Sequence, residues 1–383
     1  MSDTANNSLS ATEFTLPEAF ATLPAPGVAL ASFGKWHLTA GPGNRFKPCT
    51  VGGWPYFSGF LNGAVASFTS WSKVVTDGTI HGTSVTTETG YQTSVAVDDA
   101  LAWIHTQQQA NRPWFAWVAF AAPHTPLHLP PVALCPTYAS LPGTAADIAA
   151  NPRAYYEAAV EALDHELGRL LAGIDLASTN VVFVSDNGTP PEQLQPPFPA
   201  GRGKDTLYEG GVRVPLIISG PGVVNPGRVC TEPVHVVDLF ATILELAGID
   251  PRTAVPPGTV VDSRSLVPLL ADHPSPRTRV FDELGSATTP GVVDRSLRDG
   301  RWKLIEFAAN ASEFYDLQND PYEAVDLLAS ALTPEEAAAL VRLQTELASY
   351  ARDTGESICS ADGALGGQAS ACPCGNGGAV GYG

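Results

Sequence analysis

Residues 180–188, NVVFVSDNG, decide how this chain is read. Val181 to Val184 are all β-branched or aromatic, the signature of a buried strand, and the run stops at the polar turn Asp186-Asn187-Gly188. Upstream, residues 114–124 (WFAWVAFAAPH) repeat the arrangement, with an aromatic run after Asn111-Arg112-Pro113 that closes on Ala121-Ala122-Pro123-His124. Helical patterns lie around these strands. Residues 91–105 lean Val95, Leu101, Ala102 and Ile104 to one face; residues 153–172 space Tyr155, Ala159, Leu163, Leu167 and Leu170 helically after an Asn151-Pro152 start. Residues 212–219 (VRVPLIIS) read as a third strand, and 234–248 as a helix closed by Gly248. Strands alternating with helices predict an α/β fold with a mixed, largely parallel central sheet flanked by helices. Ligands gather at the carboxyl ends of such strands, where His124 and Asp186 fall.

Beyond about residue 275 the pattern changes. Val292-Val293, RWKLIEF and EFYDL read as short strands, followed by a helix at 334–352 opened by Thr333-Pro334-Glu335-Glu336. This predicts an α/β domain over 1–274, a small antiparallel α+β subdomain over 275–352, and a disordered Gly/Ala-rich tail over 353–383.

Composition narrows the function. The 383 residues are 44% hydrophobic, enough for a sizeable core, but no run reaches the ~18–20 apolar residues of a membrane span. Thirty-nine acidic against 21 basic residues give a net charge of −18, which argues against nucleic acid and anionic membranes as partners. An anionic substrate would need a local cluster of cations. The opening MSDTANNSLS lacks the basic-then-apolar start of a secretory leader, and localisation stays open. Six cysteines are scattered, and the Cys372-Pro373-Cys374 pair has no second pair at zinc-finger spacing.

Four short motifs carry chemistry. Gly34-Lys35-Trp36-His37 follows an apolar run and sets a cation and an imidazole at a strand exit; the plain alternative is a surface lysine and a capped histidine. In Pro123-His124-Thr125-Pro126-Leu127-His128, two prolines fix the backbone around His124, which suits proton transfer; a metal-binding His pair is the weaker reading. Ser185-Asp186-Asn187-Gly188 offers hard oxygen ligands for calcium or magnesium, or is an ordinary Asx turn. Gly201-Arg202-Gly203-Lys204, followed by Leu207-Tyr208-Glu209-Gly210-Gly211-Val212-Arg213-Val214-Pro215, lets backbone approach an anion and brings a charge to it, or is a glycine-rich surface loop.

In this order and spacing the four motifs resemble the sulfatase family, within the wider alkaline phosphatase superfamily. Gly59-Phe60-Leu61-Asn62-Gly63, Ala162-Leu163-Asp164, Asp238-Leu239-Phe240-Ala241-Thr242 and Tyr315-Asp316-Leu317 add to the likeness, which runs from about Thr12 to Leu328. The resemblance implies an alkaline-phosphatase-like fold with a small C-terminal sheet domain, and hydrolysis of a sulfate ester. It implies a formylglycine nucleophile made from Cys or Ser in C/S-x-P-x-R, and a divalent cation, Ca2+ or Mg2+. Carried over by motif, Lys35 and Lys204 would bind sulfate oxygens, and His37 would help break down the sulfated intermediate. His124 would protonate the leaving alcohol, and Asp186 and Asn187 would be metal ligands. The four motifs would converge on one sulfuryl group, carried by a sulfated small molecule or glycan.

The chain departs from the family at two points. Before Lys35 its only acids are Asp3, Glu13 and Glu18, so the family's Asp-Asp pair is missing. Only Ser140 and Ser219 stand two residues before a proline, and Thr144 and Val223, not Arg, follow at the required place, so C/S-x-P-x-R does not occur. The expectation is a truncated or split copy without its own nucleophile and with weak metal affinity. An open strand edge would leave it poorly soluble, or partnered by a separate chain that supplies the missing segment. A non-catalytic relative binding sulfated glycans, and a phosphate or phosphonate ester hydrolase, are the competing readings. Specificity is expected in the loops 64–90 and 189–200.

Overall fold

The computed structural model describes residues 8–23, 27–38, 44–285, 292–309 and 311–353. It divides into two compact units, Met1–Thr179 and Asn180–Gly383. The boundary expected at 274/275 falls inside the second unit, and the expected disordered tail lies, from residue 354 on, outside the described residues. No described helix is long and apolar enough to cross a membrane. Cys49, Cys135 and Cys230 carry no disulfide; the other three cysteines lie outside the described residues.

The first unit runs α1 (Leu16–Phe20), β1 (Ala29–Lys35), α2 (Lys47–Thr50), β2 (Phe57–Phe60), β3 (Trp71–Thr76), β4 (Ser84–Glu88), α3 (Gln92–Gln109), β5 (Trp114–Ala119), α4 (Ala145–Ala150) and α5 (Pro152–Ala172). Its strands form one sheet in the order β4-β3-β2-β1-β5. β1 pairs in parallel with β2 and β5, whereas β3 runs antiparallel to both β2 and β4. The sheet is therefore mixed and only partly parallel, not largely parallel as expected. The antiparallel pair lies within residues 64–90, read from sequence as a loop. β4 is Ser-Val-Thr-Thr-Glu and mostly exposed, so it shows no apolar alternation to mark it as a strand.

β1 is the centre of this sheet and is buried from Ala29 to Gly34. On one face Ala31 and Phe33 pack against Val97, Ala100 and Ile104 of α3 and Leu170 of α5. On the other, Phe115 of β5 stacks on Phe20 and Trp54, with ring centroids 5.5 and 5.8 Å apart. The two edges of the sheet differ. The β4 edge is polar and carries Glu88, as an edge bordering water does. Among the described residues β5 pairs on one side only, and it holds no charge, proline or glycine; its Trp117 is 40% exposed.

The second unit runs β6 (Val181–Val184), α6 (Glu209–Val212), β7 (Leu216–Ser219), α7 (Asp238–Leu246), α8 (Val267–Leu270), β8 (Val280–Gly285), β9 (Val293–Arg298), β10 (Trp302–Glu306), β11 (Glu313–Asp316) and α9 (Pro334–Asp353). β6 and β7 form an antiparallel ribbon. β7 begins four residues later than expected because Val212 belongs to α6 and Pro215 has no N–H to give a ladder. The order β11-β10-β9-β8 makes a second, wholly antiparallel sheet, the expected C-terminal one with β8 added. α9 lays Ala339, Leu343 and Leu347 on Leu297, Trp302, Leu304 and Phe314 of this sheet. The opposite face, Ile305 and Tyr315, receives Leu207, Tyr208 and Val212.

α7 is tied down by a carboxylate without solvent contact. Asp238 accepts from the backbone N–H of His235 and of Arg264, each at 2.9 Å, and from Arg277 Nε at 2.8 Å. His235 Nε2 reaches Asp282 Oδ1 of β8 at 3.2 Å. Burial alone would lower the pKa of His235, but the hydrogen bond and charge of Asp282 outweigh it and hold the pKa above its ordinary value. A raised folded-state pKa stabilises fully below the unfolded value of about 6.5 and is lost as pH rises through the folded one. His235→Gln is therefore expected to lower the thermal midpoint more at pH 6 than at pH 9. Asp238→Ala, which removes a fully buried acceptor from two backbone N–H groups and from the half-buried Arg277, is expected to cost about 1–3 kcal/mol for each group left unpaired, at either pH, by denaturant unfolding.

Candidate functional site

In the first unit the chemistry collects at one end of the sheet. β1, β2 and β5 run parallel, with Gly34 opposite both Gly59 and Ala119, so Lys35, His37, the 61–63 loop and His124 all follow strand ends on the same side. His37 takes a left-handed backbone (φ 57°), and its N–H donates to Leu61 O at 3.1 Å. Its ring lies against Gly63, where a Cβ would come within 2.5 Å of Nε2. That contact accounts for the glycine closing Gly59-Phe60-Leu61-Asn62-Gly63, since any other residue would displace the imidazole.

His124 is held by its own loop. Its N–H donates to Ala121 O at 2.9 Å, and the peptide bonds Ala122-Pro123 and Thr125-Pro126 are both cis. Nδ1 lies 2.9 Å from Thr125 O. A carbonyl only accepts, so Nδ1 carries a proton toward Thr125 O, and this bond sets the orientation of the ring. His128 differs. Its Nδ1 donates to Pro126 O at 2.9 Å, its Nε2 accepts from Tyr91 OH at 3.2 Å, and its ring stacks on Phe68. Burial pushes its pKa down, in keeping with a neutral ring. With both nitrogens engaged and its ring stacked on Phe68, the half-buried His128 is held as a packing residue.

In the second unit three stretches of loop interlock. The turn after β6 is shaped by Ser185 Oγ donating to Asn187 O and by Asn187 Nδ2 donating to Gly188 O, each at 2.9 Å. The second bond commits the amide nitrogen inward and leaves Asn187 Oδ1 as the acceptor. Asp186 is exposed. Gly188 N–H donates to Gly211 O at 2.9 Å, and a Cβ on Gly188 would sit 2.0 Å from Gly210 O, so only glycine fits against α6. Lys204 N–H donates to Thr189 O at 2.8 Å, and Thr206 Oγ1 closes on Gly203 O at 2.6 Å. The structure thus gathers Asp186, Asn187 and Lys204 on one backbone framework, and Lys35, His37 and His124 on another.

Asp186 and Asn187 offer three side-chain oxygens between them, against the roughly six to eight that calcium takes. Among the described residues no group of three or more His, Cys, Asp or Glu is placed to hold a metal ion. These two residues do not by themselves fit the cation. Sequence reading also missed what lies under α6. Glu209 meets Arg298, Lys303 and Glu323, which stand 89, 94 and 114 positions away, and no local pattern announces such pairings.

Comparison with known proteins accounts for this framework. The Sulfatase family model matches residues 2–249, and the model for N-sulphoglucosamine sulphohydrolase, C-terminal, matches 203–352. N-acetylgalactosamine-6-sulfatase of Canis lupus familiaris is 32% identical over 276 residues, covering 67% of this chain and 48% of that protein. The chain spans about half the length of the curated relatives it matches. Among solved structures, Ps i-CgsB superposes with a TM-score of 0.71 at 22% identity, over 92% of this chain and 77% of that one. BT4656, in complex with its substrate D-Glucosamine-2-N, 6-O-disulfate, gives 0.69 at 19% identity, over 92% and 85%. These two likenesses are of fold. Motif order, fold and a family model that takes in well over half of the residues agree: the chain belongs to the sulfatase family.

Proposed function

We propose that this chain carries the anion-binding and proton-transfer groups of a sulfuric ester hydrolase whose substrate is a sulfated small molecule or glycan. The observation that carries the reading is His124, fixed at a parallel-strand exit with Nδ1 committed to Thr125 O, on the same sheet end as Lys35 and His37. Nε2 of His124 then delivers a proton to the departing alcohol oxygen, the step an ester needs when its leaving group is a poor one. Lys35 and Lys204 bind sulfate oxygens and offset the charge that grows on them. His37, seated on Gly63, serves the second proton transfer. Asp186 and Asn187 supply part of a cation's ligand shell.

We infer that the nucleophile and the remaining cation ligands come from polypeptide outside these 383 residues, which hold no C/S-x-P-x-R. Among the described residues β5 pairs on one side only, and this supports the inference, because an apolar, uncharged edge of Trp114 to Ala119 is suited to a further strand. Such a strand would belong to the same polypeptide or to a separate chain. Translating the DNA upstream of the first codon tests it: an Asp-Asp pair followed by C-x-P-x-R supports the inference, and unrelated sequence favours a relative that binds sulfated glycans without turnover.

Three measurements check the reading. The chain alone is expected to give no turnover of 4-nitrophenyl sulfate, and clear turnover would show that a nucleophile has been overlooked. Calorimetry is expected to show no micromolar calcium binding. Titration with inorganic sulfate is expected to show weak binding, reduced about tenfold by Lys35→Ala or Lys204→Ala through loss of a charge-assisted hydrogen bond. Sulfate binding indifferent to both substitutions would sink the assignment of those lysines.

A further inference from the structure

We propose that an ion quartet, the buried Glu209, Lys303 and Glu323 with the half-buried Arg298, is the positioning device that holds the Lys204 turn and, through it, the Asp186-Asn187 loop. The inference rests on the sulfate-binding reading above and extends it to four residues that touch no substrate.

Glu209, Lys303 and Glu323 are each at most 1% exposed. Lys303 Nζ, from β10, lies 3.0 Å from Glu209 Oε1 and 2.9 Å from Glu323 Oε1. Arg298 Nη1, from β9, binds Glu209 Oε2 at 2.7 Å. Two carboxylates, an ammonium and a guanidinium leave the group neutral. Glu323 has two further duties: its Oε2 accepts the backbone N–H of Glu209 at 2.5 Å, and its carbonyl accepts Arg202 Nη1. Arg202 also lies over the Tyr208 ring, 4.3 Å from its centroid. One residue therefore ties down both ends of the segment 202–209, with Lys204 between them. Glu323 does this with a left-handed backbone (φ 58°), a conformation that a non-glycine residue holds only where its surroundings impose it. From Glu209 the restraint passes into α6, whose Gly211 O receives Gly188 N–H next to Asp186 and Asn187.

Adhesion alone does not call for such a group. Leu207, Ile305, Tyr315 and Leu317 already bind this segment to the sheet, and well-packed apolar residues hold surfaces together at least as well as buried ions. Ions add direction. Glu209 satisfies Lys303, Arg298 and Glu323 in a single placement of α6, whereas an apolar contact tolerates sliding. The quartet thus sets position, and its members are positioning residues.

The test separates placement from charge balance, using the full chain. Lys303→Met leaves two carboxylates facing each other. Lys303→Met with Glu323→Met restores neutrality at similar volume but removes the acceptor for Glu209 N–H. Thermal midpoints, hydrogen exchange and titration with inorganic sulfate are measured on each. The double variant is expected to recover the midpoint lost by the single one. It is also expected to keep about tenfold faster exchange at the amides of Gly188 and Lys204, with β9 to β11 unchanged, and about tenfold weaker sulfate binding. Recovery of loop protection and sulfate affinity together with the midpoint would overturn the proposal and leave only charge balance. If the parent chain binds no sulfate, or Lys204→Ala changes nothing, the sulfate reading fails by itself, while exchange at Gly188 and Lys204 still decides the quartet.

Discussion

Lys303 puts an ammonium where no water reaches it, and the second unit arranges itself around that charge. A lone buried cation would cost far more than the surrounding core could repay, so two carboxylates must come to it. One opens α6 and the other follows β11, so two distant stretches of chain are brought to a single point. The backbone of α6 then receives Gly188, and the Asp186-Asn187 turn inherits its place. In the first unit no such ion is needed. There the parallel pairing of β1 with β2 and β5 carries Lys35, His37 and His124 to one sheet end.

Much of this was legible from residues alone. The aromatic run at 114–120 is β5, Val181 to Val184 is β6, and Thr333-Pro334 marks the start of α9, because apolar runs and helix-start signals are local. The family follows from four motifs whose order is rigid. The β3–β4 hairpin was not legible, since Thr86 and Thr87 face water and leave no alternation to read. β8 was missed because Val280 to Gly285 mixes Asp282 and Glu283 into an apolar run, and each of those acids has a remote cation, His235 for one and Arg295 for the other. The ion quartet was illegible for the same reason: its partners meet only after folding.

Two histidines four residues apart show how environment, and not residue type, assigns a role. His124 and His128 share a loop and a pair of flanking prolines. His128 is closed on both nitrogens and stacked into an aromatic cluster, while His124 has its Nδ1 committed to the carbonyl of Thr125. A motif names both; the hydrogen bonds and ring stacking of His128 mark it as a packing element.

The unlike borders of the five-stranded sheet bear on how this polypeptide behaves as a material. One border ends in threonines and a glutamate that water can wet; the other offers tryptophan, phenylalanine and valine on a strand that, among the described residues, pairs on one side only. Growth of the sheet is thereby polarised, favoured on one flank and discouraged on its opposite. A strand added to this sheet would therefore join the apolar border, where no charge or proline stands against its backbone.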